Sequence, residues 1–109
     1  MRIKNIILLQ QHVIKIAKKS DVKDKLCVKA KGKALALFKI KEKYYCTDNK
    51  CTHLGGPLCK GNIEDHTIVC PWHGAKFDVK TGKVKGLPAK ADIKTYKVEI
   101  KGDDILVDL

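Results

Sequence analysis

Two short segments in the middle of the chain each place a cysteine and a histidine within four residues of one another. They read Cys51-Thr52-His53 and Cys70-Pro71-Trp72-His73, and residues 54 to 69 separate them. A thiolate and an imidazole this close in sequence lie on one tight loop, which the nearby glycines allow. The stretch between the segments is long enough for the chain to run away from the first loop and return beside it. The two loops are therefore predicted to face each other at the tip of a β-framework.

Two sulfur and two nitrogen atoms suit either a tetrahedral zinc site or an iron–sulfur site with mixed ligands. In structural zinc sites about two to four residues usually separate the two ligands of a pair. Only Thr52 separates Cys51 from His53, which is awkward for chelating a single ion. A binuclear cluster removes this difficulty, since the cysteines bind one iron and the histidines bind the other. The spacing therefore favours a binuclear cluster, with zinc as the alternative.

The rest of the sequence predicts an all-β framework. Apolar and polar residues alternate with a period of two in several runs, the pattern of strands with one buried face. Tight turns are predicted at Lys31-Gly32-Lys33 and Lys41-Glu42-Lys43. A helix over Ile14–Leu26 is a weaker alternative, because its lysines do not gather on one face. The predicted strands are His12–Ala17, Leu26–Ala30, Ala34–Ile40, Tyr44–Thr47, Tyr96–Lys101 and Ile105–Leu109.

Length and charge narrow the class of protein. A chain of 109 residues has room for one domain with one modest core. The net charge is +11, and the lysines that supply it are spread along the chain, as on an ordinary solvated surface. The same charge suits a redox partner protein with an acidic docking surface. The apolar run Ile6–Leu9 is too short for a signal-peptide core or a bilayer span. We expect no nucleic-acid partner and no membrane partner.

The number of cysteines bears on the compartment. An odd set of five, in a chain with no export signal, favours metal binding over disulfides and predicts a cytoplasmic protein. Three of the five lie outside the two motifs. Cys27 and Cys46 are interpreted as small buried hydrophobic residues. Cys59, close to the first motif, is interpreted as an oxidation-sensitive thiol and not as a ligand.

The two motifs and the residues that follow them resemble the Rieske signature. Cys51–Leu58 and Cys70–Asp78 are similar to its two halves, and Gly86-Leu87-Pro88 resembles the loop that covers the cluster in that family. The resemblance implies a Rieske-like antiparallel β-sandwich with a small cluster-binding subdomain of two loops. That subdomain would occupy about 47–88 of a single domain over 1–109. One [2Fe–2S] cluster is implied, with Cys51 and Cys70 on the inner iron and His53 and His73 on the outer iron.

Departures from the respiratory members of that family favour the soluble, oxygenase-associated type of Rieske ferredoxin. The respiratory subunits form a disulfide between the loops, and Gly56 and Trp72 stand at those positions here. The same subunits donate hydroxyl hydrogen bonds to sulfur where this chain has Ala75 and Phe77. Without those donors we expect a reduction potential near the low end of the Rieske range, about −150 mV.

The resemblance implies a one-electron carrier that passes electrons from a reductase to an oxygenase or similar redox enzyme. The alternative is a small Rieske subunit of a larger reductase, such as a nitrite reductase-like enzyme. A zinc-bearing nucleic-acid module is a third hypothesis, raised by the charge and the Cys/His content. Catalysis by this chain alone is not expected, because an oxygenase needs a mononuclear iron site, usually of two histidines and a carboxylate. Only His12 and His66 remain for such a site, and neither lies in a ligand-like group.

Overall fold

The computed structural model describes residues 13–109, and the sequence predictions for His12 and for the apolar run Ile6–Leu9 lie outside this range. The described part is all-β, as predicted. The helix considered over Ile14–Leu26 is wrong: a strand, a short 3₁₀ turn (Lys19–Asp21) and a second strand occupy it. A second 3₁₀ turn covers Leu58–Lys60. The strands are β1 Val13–Lys18, β2 Lys25–Ala30, β3 Lys33–Ile40, β4 Lys43–Asp48, β5 Asn62–Glu64, β6 Thr67–Val69, β7 Lys76–Asp78, β8 Val84–Gly86, β9 Thr95–Tyr96, β10 Val98–Lys101 and β11 Asp104–Asp108.

The strands form three antiparallel sheets. One has the order β2-β3-β4-β9 and another the order β1-β11-β10. We call these two sheets the base. The third sheet, of order β5-β6-β7-β8, has strands of only three residues each and is called the tip sheet. Its strands hold the segment that contains the second Cys/His motif.

Strand β3 of the base lies between the sheet β1-β11-β10 and the tip sheet, and it is buried on both of its faces. Four consecutive residues, Leu35, Ala36, Leu37 and Phe38, have no exposed surface. Successive side chains of a strand point to opposite sides. Leu35 and Leu37 therefore pack into the core of the base, with Ile105 from the facing sheet. Ala36 and Phe38 pack into a second core that contains Ile68 and Phe77 of the tip sheet together with Cys51 and Cys70.

Both hairpins that flank β3 have two-residue turns with left-handed backbone. Lys31 and Gly32 have φ values of 49° and 73°, and Lys41 and Glu42 have values of 50° and 65°. Turns of this kind match the right-handed twist of the strands they join. Lys33 and Lys43, which the sequence interpretation placed in the turns, are consequently the first residues of β3 and β4.

The structure confirms the interpretation of Cys46 as a small buried hydrophobic residue. It is paired with Leu37 across the sheet and belongs to the core of the base. Burial, reinforced by the nearby Asp48 carboxylate, raises the pKa of the Cys46 thiol to about 12. In residues 13–109, no helix has the length and apolar character needed to cross a membrane.

The raised pKa of Cys46 predicts a loss of stability at alkaline pH. An unfolded chain releases the thiol proton near the ordinary pKa of 9.0, whereas the folded chain keeps it up to about pH 12. Within this window the unfolded state binds fewer protons, so stability falls as pH rises, by at most about 1.4 kcal/mol per unit. Urea unfolding of the wild type and Cys46→Ala should show a stability difference that is constant below about pH 8 and shrinks above pH 9. A difference that stays the same from pH 7 to 11 would contradict the assignment.

Candidate metal centre

The two predicted loops have the same length and the same backbone hydrogen bonds. In the first, Cys51 N–H donates to the carbonyl of Gly56 (2.9 Å) and Gly55 N–H donates to the carbonyl of Cys51 (2.8 Å). The second loop repeats the pattern. Cys70 N–H donates to Ala75 (2.7 Å) and Gly74 N–H donates to Cys70 (3.1 Å). Each loop is therefore a six-residue turn that begins at its cysteine, although its histidine is third in one loop and fourth in the other.

A glycine closes each loop at the fifth position. Gly55 and Gly74 have φ values of 78° and 75°, a backbone region that costs other residues roughly 1 kcal/mol or more. The loops differ in the elements that hold them. The first follows β4 and is continued by the 3₁₀ turn Leu58–Lys60, whereas the second joins β6 to β7 of the tip sheet.

The thiols and the imidazoles of the four predicted ligands lie on different sides of the site. Cys51 and Cys70 are each 4% exposed and neighbour one another in the core that β3 shares with the tip sheet. His53 and His73 are exposed, and their ring centroids are 5.5 Å apart with the ring planes nearly perpendicular. The structure thus brings the four residues together as an inner pair of thiols and an outer pair of imidazoles. Within residues 13–109, no three His, Cys, Asp or Glu side chains meet at one point suited to a single ion.

Gly56 allows the two loops to approach each other closely. A Cβ atom at this position would lie 2.7 Å from Sγ of Cys70 and 3.0 Å from Cγ of Trp72. Trp72 therefore covers Gly56 with part of its ring, while 56% of its surface is exposed. Gly56 is therefore a point at which the two loops meet, directly beside the Cys70 thiol.

Burial of the Cys51 thiol raises its pKa, and the neighbouring Cys70 raises it further. The backbone N–H of His53 opposes this effect by donating to Sγ of Cys51, at 3.5 Å. A coordinated metal reverses the balance, because a coordinating thiol loses its proton outright. The donor set of two thiolates and two imidazoles therefore fits a mixed-ligand iron–sulfur cluster.

Two residues that anchor the first loop were not identified from the sequence. The carbonyl of Asn49 accepts a hydrogen bond from Leu58 N–H (2.8 Å), and its side-chain oxygen accepts one from Cys59 N–H (2.8 Å). Thr52 donates its hydroxyl to the carbonyl of Ala91, at 2.7 Å. The signal for Asn49 was its place between a strand and a metal motif, where an Asn side chain commonly binds nearby backbone.

The interpretation of Cys27 as a buried hydrophobic residue is wrong, and so is that of Cys59 as a thiol. Cys27 is an exposed residue of β2, and Cys59 is buried in the 3₁₀ turn after the first loop. The two form a disulfide that spans 32 residues of sequence. The preference for metal binding over disulfides does not hold for this pair, because the fold places the two side chains together although nothing in their spacing indicates it.

Charged and aromatic residues near the site are mostly exposed. Lys60 and Lys76 are both exposed, and the ammonium group of Lys76 lies 3.7 Å from the carboxylate of Glu64. His66 is half-buried with its ring edge-to-face against Tyr45. It lies outside the group of four predicted ligands.

Comparison with protein families identifies residues 12–97 as matching the Rieske [2Fe-2S] domain. The chain is 42% identical, over 86 residues, to the ferredoxin component of the naphthalene 1,2-dioxygenase system of Pseudomonas aeruginosa. The alignment covers 79% of this chain and 83% of that protein. Both proteins are therefore similar over most of their lengths.

Solved structures show the same similarity. The ferredoxin of Sphingomonas yanoikuyae B1 superposes with a TM-score of 0.83 at 33% identity, covering 88% of this chain and 97% of that one. A chain from the complex of reduced oxygenase and oxidised ferredoxin in carbazole 1,9a-dioxygenase also superposes with a TM-score of 0.83. Its identity is 29%, and the match covers 90% of this chain and 94% of that chain.

The close approach of the loops predicts that Gly56 tolerates no side chain. Gly56→Ala inserts a methyl group against Sγ of Cys70, and overpacking of this kind costs about 1–3 kcal/mol. We expect the variant to unfold at lower urea and to lose iron faster to a chelator. The matched control is Gly86→Ala, whose new Cβ would lie 3.5 Å from Lys76, an ordinary contact. Equal iron retention in the two variants would show that the loops are not held together at Gly56.

Proposed function

Because the chain belongs to the Rieske [2Fe–2S] domain family, we propose that it is a soluble one-electron carrier that passes electrons from a reductase to a terminal oxygenase. The observation that carries the proposal is the likeness, over most of both chains, to a ferredoxin component of a dioxygenase system. The likeness to the carbazole 1,9a-dioxygenase chain supports it further. On this proposal the chain is a component of a multicomponent oxidoreductase and performs no catalysis itself.

We propose that Cys51 and Cys70 bind the inner iron and that His53 and His73 bind the outer iron. The burial of the two thiols and the exposure of the two imidazoles support this division. When bound, the cluster supplies a centre that takes up and releases one electron. The proposed domain spans 1–109, with its cluster-binding part at about 47–88.

The surface around the two histidines suits a protein partner. Leu54 and Trp72, next to the two histidines in sequence, are 57% and 56% exposed, and Leu87 is 77% exposed. Large apolar side chains exposed beside a polar group are typical of docking sites, where they exclude water on contact. We propose that partners dock here and that the imidazole edges give the electron a short path across the interface.

The overall charge supports partners with acidic docking surfaces. A net charge of +11 steers an acidic protein toward this chain and speeds the encounter. The proposed location is the cytoplasm, where a reducing environment keeps Cys51 and Cys70 available as thiols for iron. The Cys27–Cys59 bridge is unusual for this location, because disulfides are rare in a reducing cytoplasm.

Electron transfer to a named acceptor tests the proposal. The protein should take up one electron per chain at about −150 mV. In stopped-flow mixing it should then reduce the oxygenase of the naphthalene 1,2-dioxygenase system. We expect Leu87→Ala to slow this transfer roughly tenfold without moving the midpoint potential, because it removes a 77% exposed apolar anchor and no ligand. Rising salt should slow the wild type as well.

Ile100→Ala is the matched control, since Ile100 is an exposed apolar residue (41%) on β10 of the base. It should transfer electrons at the wild-type rate. A protein that takes up no electron, or a midpoint well above 0 mV, would contradict the proposed carrier. Equal slowing by both variants would contradict the proposed docking site.

A further inference from the structure

The Cys27–Cys59 disulfide joins the base of the molecule to the loop that carries Cys51 and His53. We propose that this bridge is a reversible redox site, which a dithiol reductant opens, and that opening it loosens the first loop. The reversible opening of the bridge is argued from the structure alone. The consequence for iron rests on the proposed function, because it requires the first loop to hold the cluster.

The bridge connects strand β2 to the 3₁₀ turn that follows the first loop. Cys27 lies in β2, at the edge of the sheet β2-β3-β4-β9. Cys59 lies in the 3₁₀ turn Leu58–Lys60, directly after the first loop. The link therefore attaches the end of the loop to an edge strand of the base. Closing a long loop in this way restricts the unfolded and locally opened states more than the native state.

One end of the bridge is open to a reductant. Cys27 is exposed, whereas Cys59 is only 3% exposed. Both cysteines line a cleft of about 530 Å³ that opens between β2 and the 3₁₀ turn. An incoming thiolate thus reaches the sulfur of Cys27 and leaves Cys59 as the displaced thiolate. Thiol–disulfide exchange requires such access to one sulfur.

The charge of the cleft favours the thiolates that the exchange needs. Lys23, Lys25 and Lys60 line it, against Asp21 and Asp24. Lys25 already contacts the Asp24 carboxylate, at 3.7 Å. The remaining lysines stabilise negative charge on an attacking or leaving sulfur, as neighbouring cations do at reactive cysteines.

Cys59 is coupled to the ligands of the first loop through Asn49. The side-chain oxygen of Asn49 accepts from Cys59 N–H, and its carbonyl accepts from Leu58 N–H. Asn49 is two residues before Cys51, and Lys50 is bridged to Pro57 on the other side of the loop. Movement of Cys59 away from β2 therefore releases contacts that close the loop around Cys51.

The exchange balances with a dithiol as the only co-reactant. A thiolate of the dithiol attacks Sγ of Cys27, the Cys27–Cys59 bond breaks, and a mixed disulfide forms at Cys27 while Cys59 takes a proton. The second thiol of the dithiol then displaces Cys27, which leaves two protein thiols and one oxidised dithiol. Two electrons pass from the dithiol to the bridge, and the reverse steps close it. Bridges in cytoplasmic proteins are usually transient or redox-sensing, as this one is proposed to be.

Thiol counting tests the bridge without reference to the cluster. The holoprotein is equilibrated under argon in mixtures of reduced and oxidised dithiothreitol, quenched in acid, unfolded and labelled with a maleimide polymer. We expect the number of labelled cysteines to change reversibly from three (Cys46, Cys51 and Cys70) to all five as the mixture becomes reducing. Five labels under every condition, or three under every condition, would overturn the proposal.

The effect on the loop is read by hydrogen exchange and by iron release. In the reduced protein the amide hydrogens of Leu58 and Cys59 should exchange faster. A chelator should also remove iron roughly tenfold faster, an effect that needs only a modest part of the stabilisation a disulfide provides. The control variant Cys27→Ser/Cys59→Ser should resemble the reduced protein in both mixtures, which separates the bridge from any direct action of dithiothreitol on iron. Unchanged exchange in the reduced wild type would overturn the coupling. A protein that binds no iron but still changes from three labels to five would contradict the proposed function and leave the redox site standing.

Discussion

The burial of strand β3 on both faces is the constraint on which the rest of the molecule depends. Four consecutive residues of this strand have no exposed surface, so apolar layers must cover both of its sides. The base sheet that contains β1, β10 and β11 covers one side. The tip sheet and the two cysteine loops cover the other. Complete burial of Phe38 thus requires the loops to be folded, which links the stability of the core to the geometry of the site.

This arrangement divides the proposed ligands into an inner and an outer pair. The thiols belong to the same core as Phe38 and Phe77, whereas the imidazoles lie at the surface. A charged group buried in an apolar core is costly, and a cluster with two neutral imidazole ligands carries less negative charge than one with four thiolates. The proposed ligand set is therefore suited to a site that lies half inside a core and half at the surface.

Most of the base and the positions of both loops could be predicted from the sequence, because they depend on local signals. Alternating residues indicate β4 and β11, and the glycines beside Cys51 and Cys70 indicate tight loops. The short strands of the tip sheet carry no such signal, since three residues are too few to show a period. Strand β3 was predicted with one buried face, and its second buried face follows from a sheet that the sequence did not reveal.

The pairing of Cys27 with Cys59 shows a second limit of prediction from the sequence. Spacing in sequence indicates which ligands share one loop, but it does not show which cysteines meet across 32 residues. Cys27 and Cys59 are brought together by the register between β2 and β3 and by the 3₁₀ turn that Asn49 anchors. Such contacts depend on tertiary packing, and neither the odd number of cysteines nor the separation between them predicts the pairing.

The most direct test of the central claim is an EPR spectrum of the dithionite-reduced protein, recorded for the wild type and for His73→Cys. The account predicts a rhombic signal with the low average g-value of a histidine-ligated [2Fe–2S] centre. In the variant the signal should move toward that of all-cysteine ligation, because a thiolate replaces one imidazole. A wild-type signal typical of four cysteine ligands, or a colourless protein that contains zinc, would contradict the account.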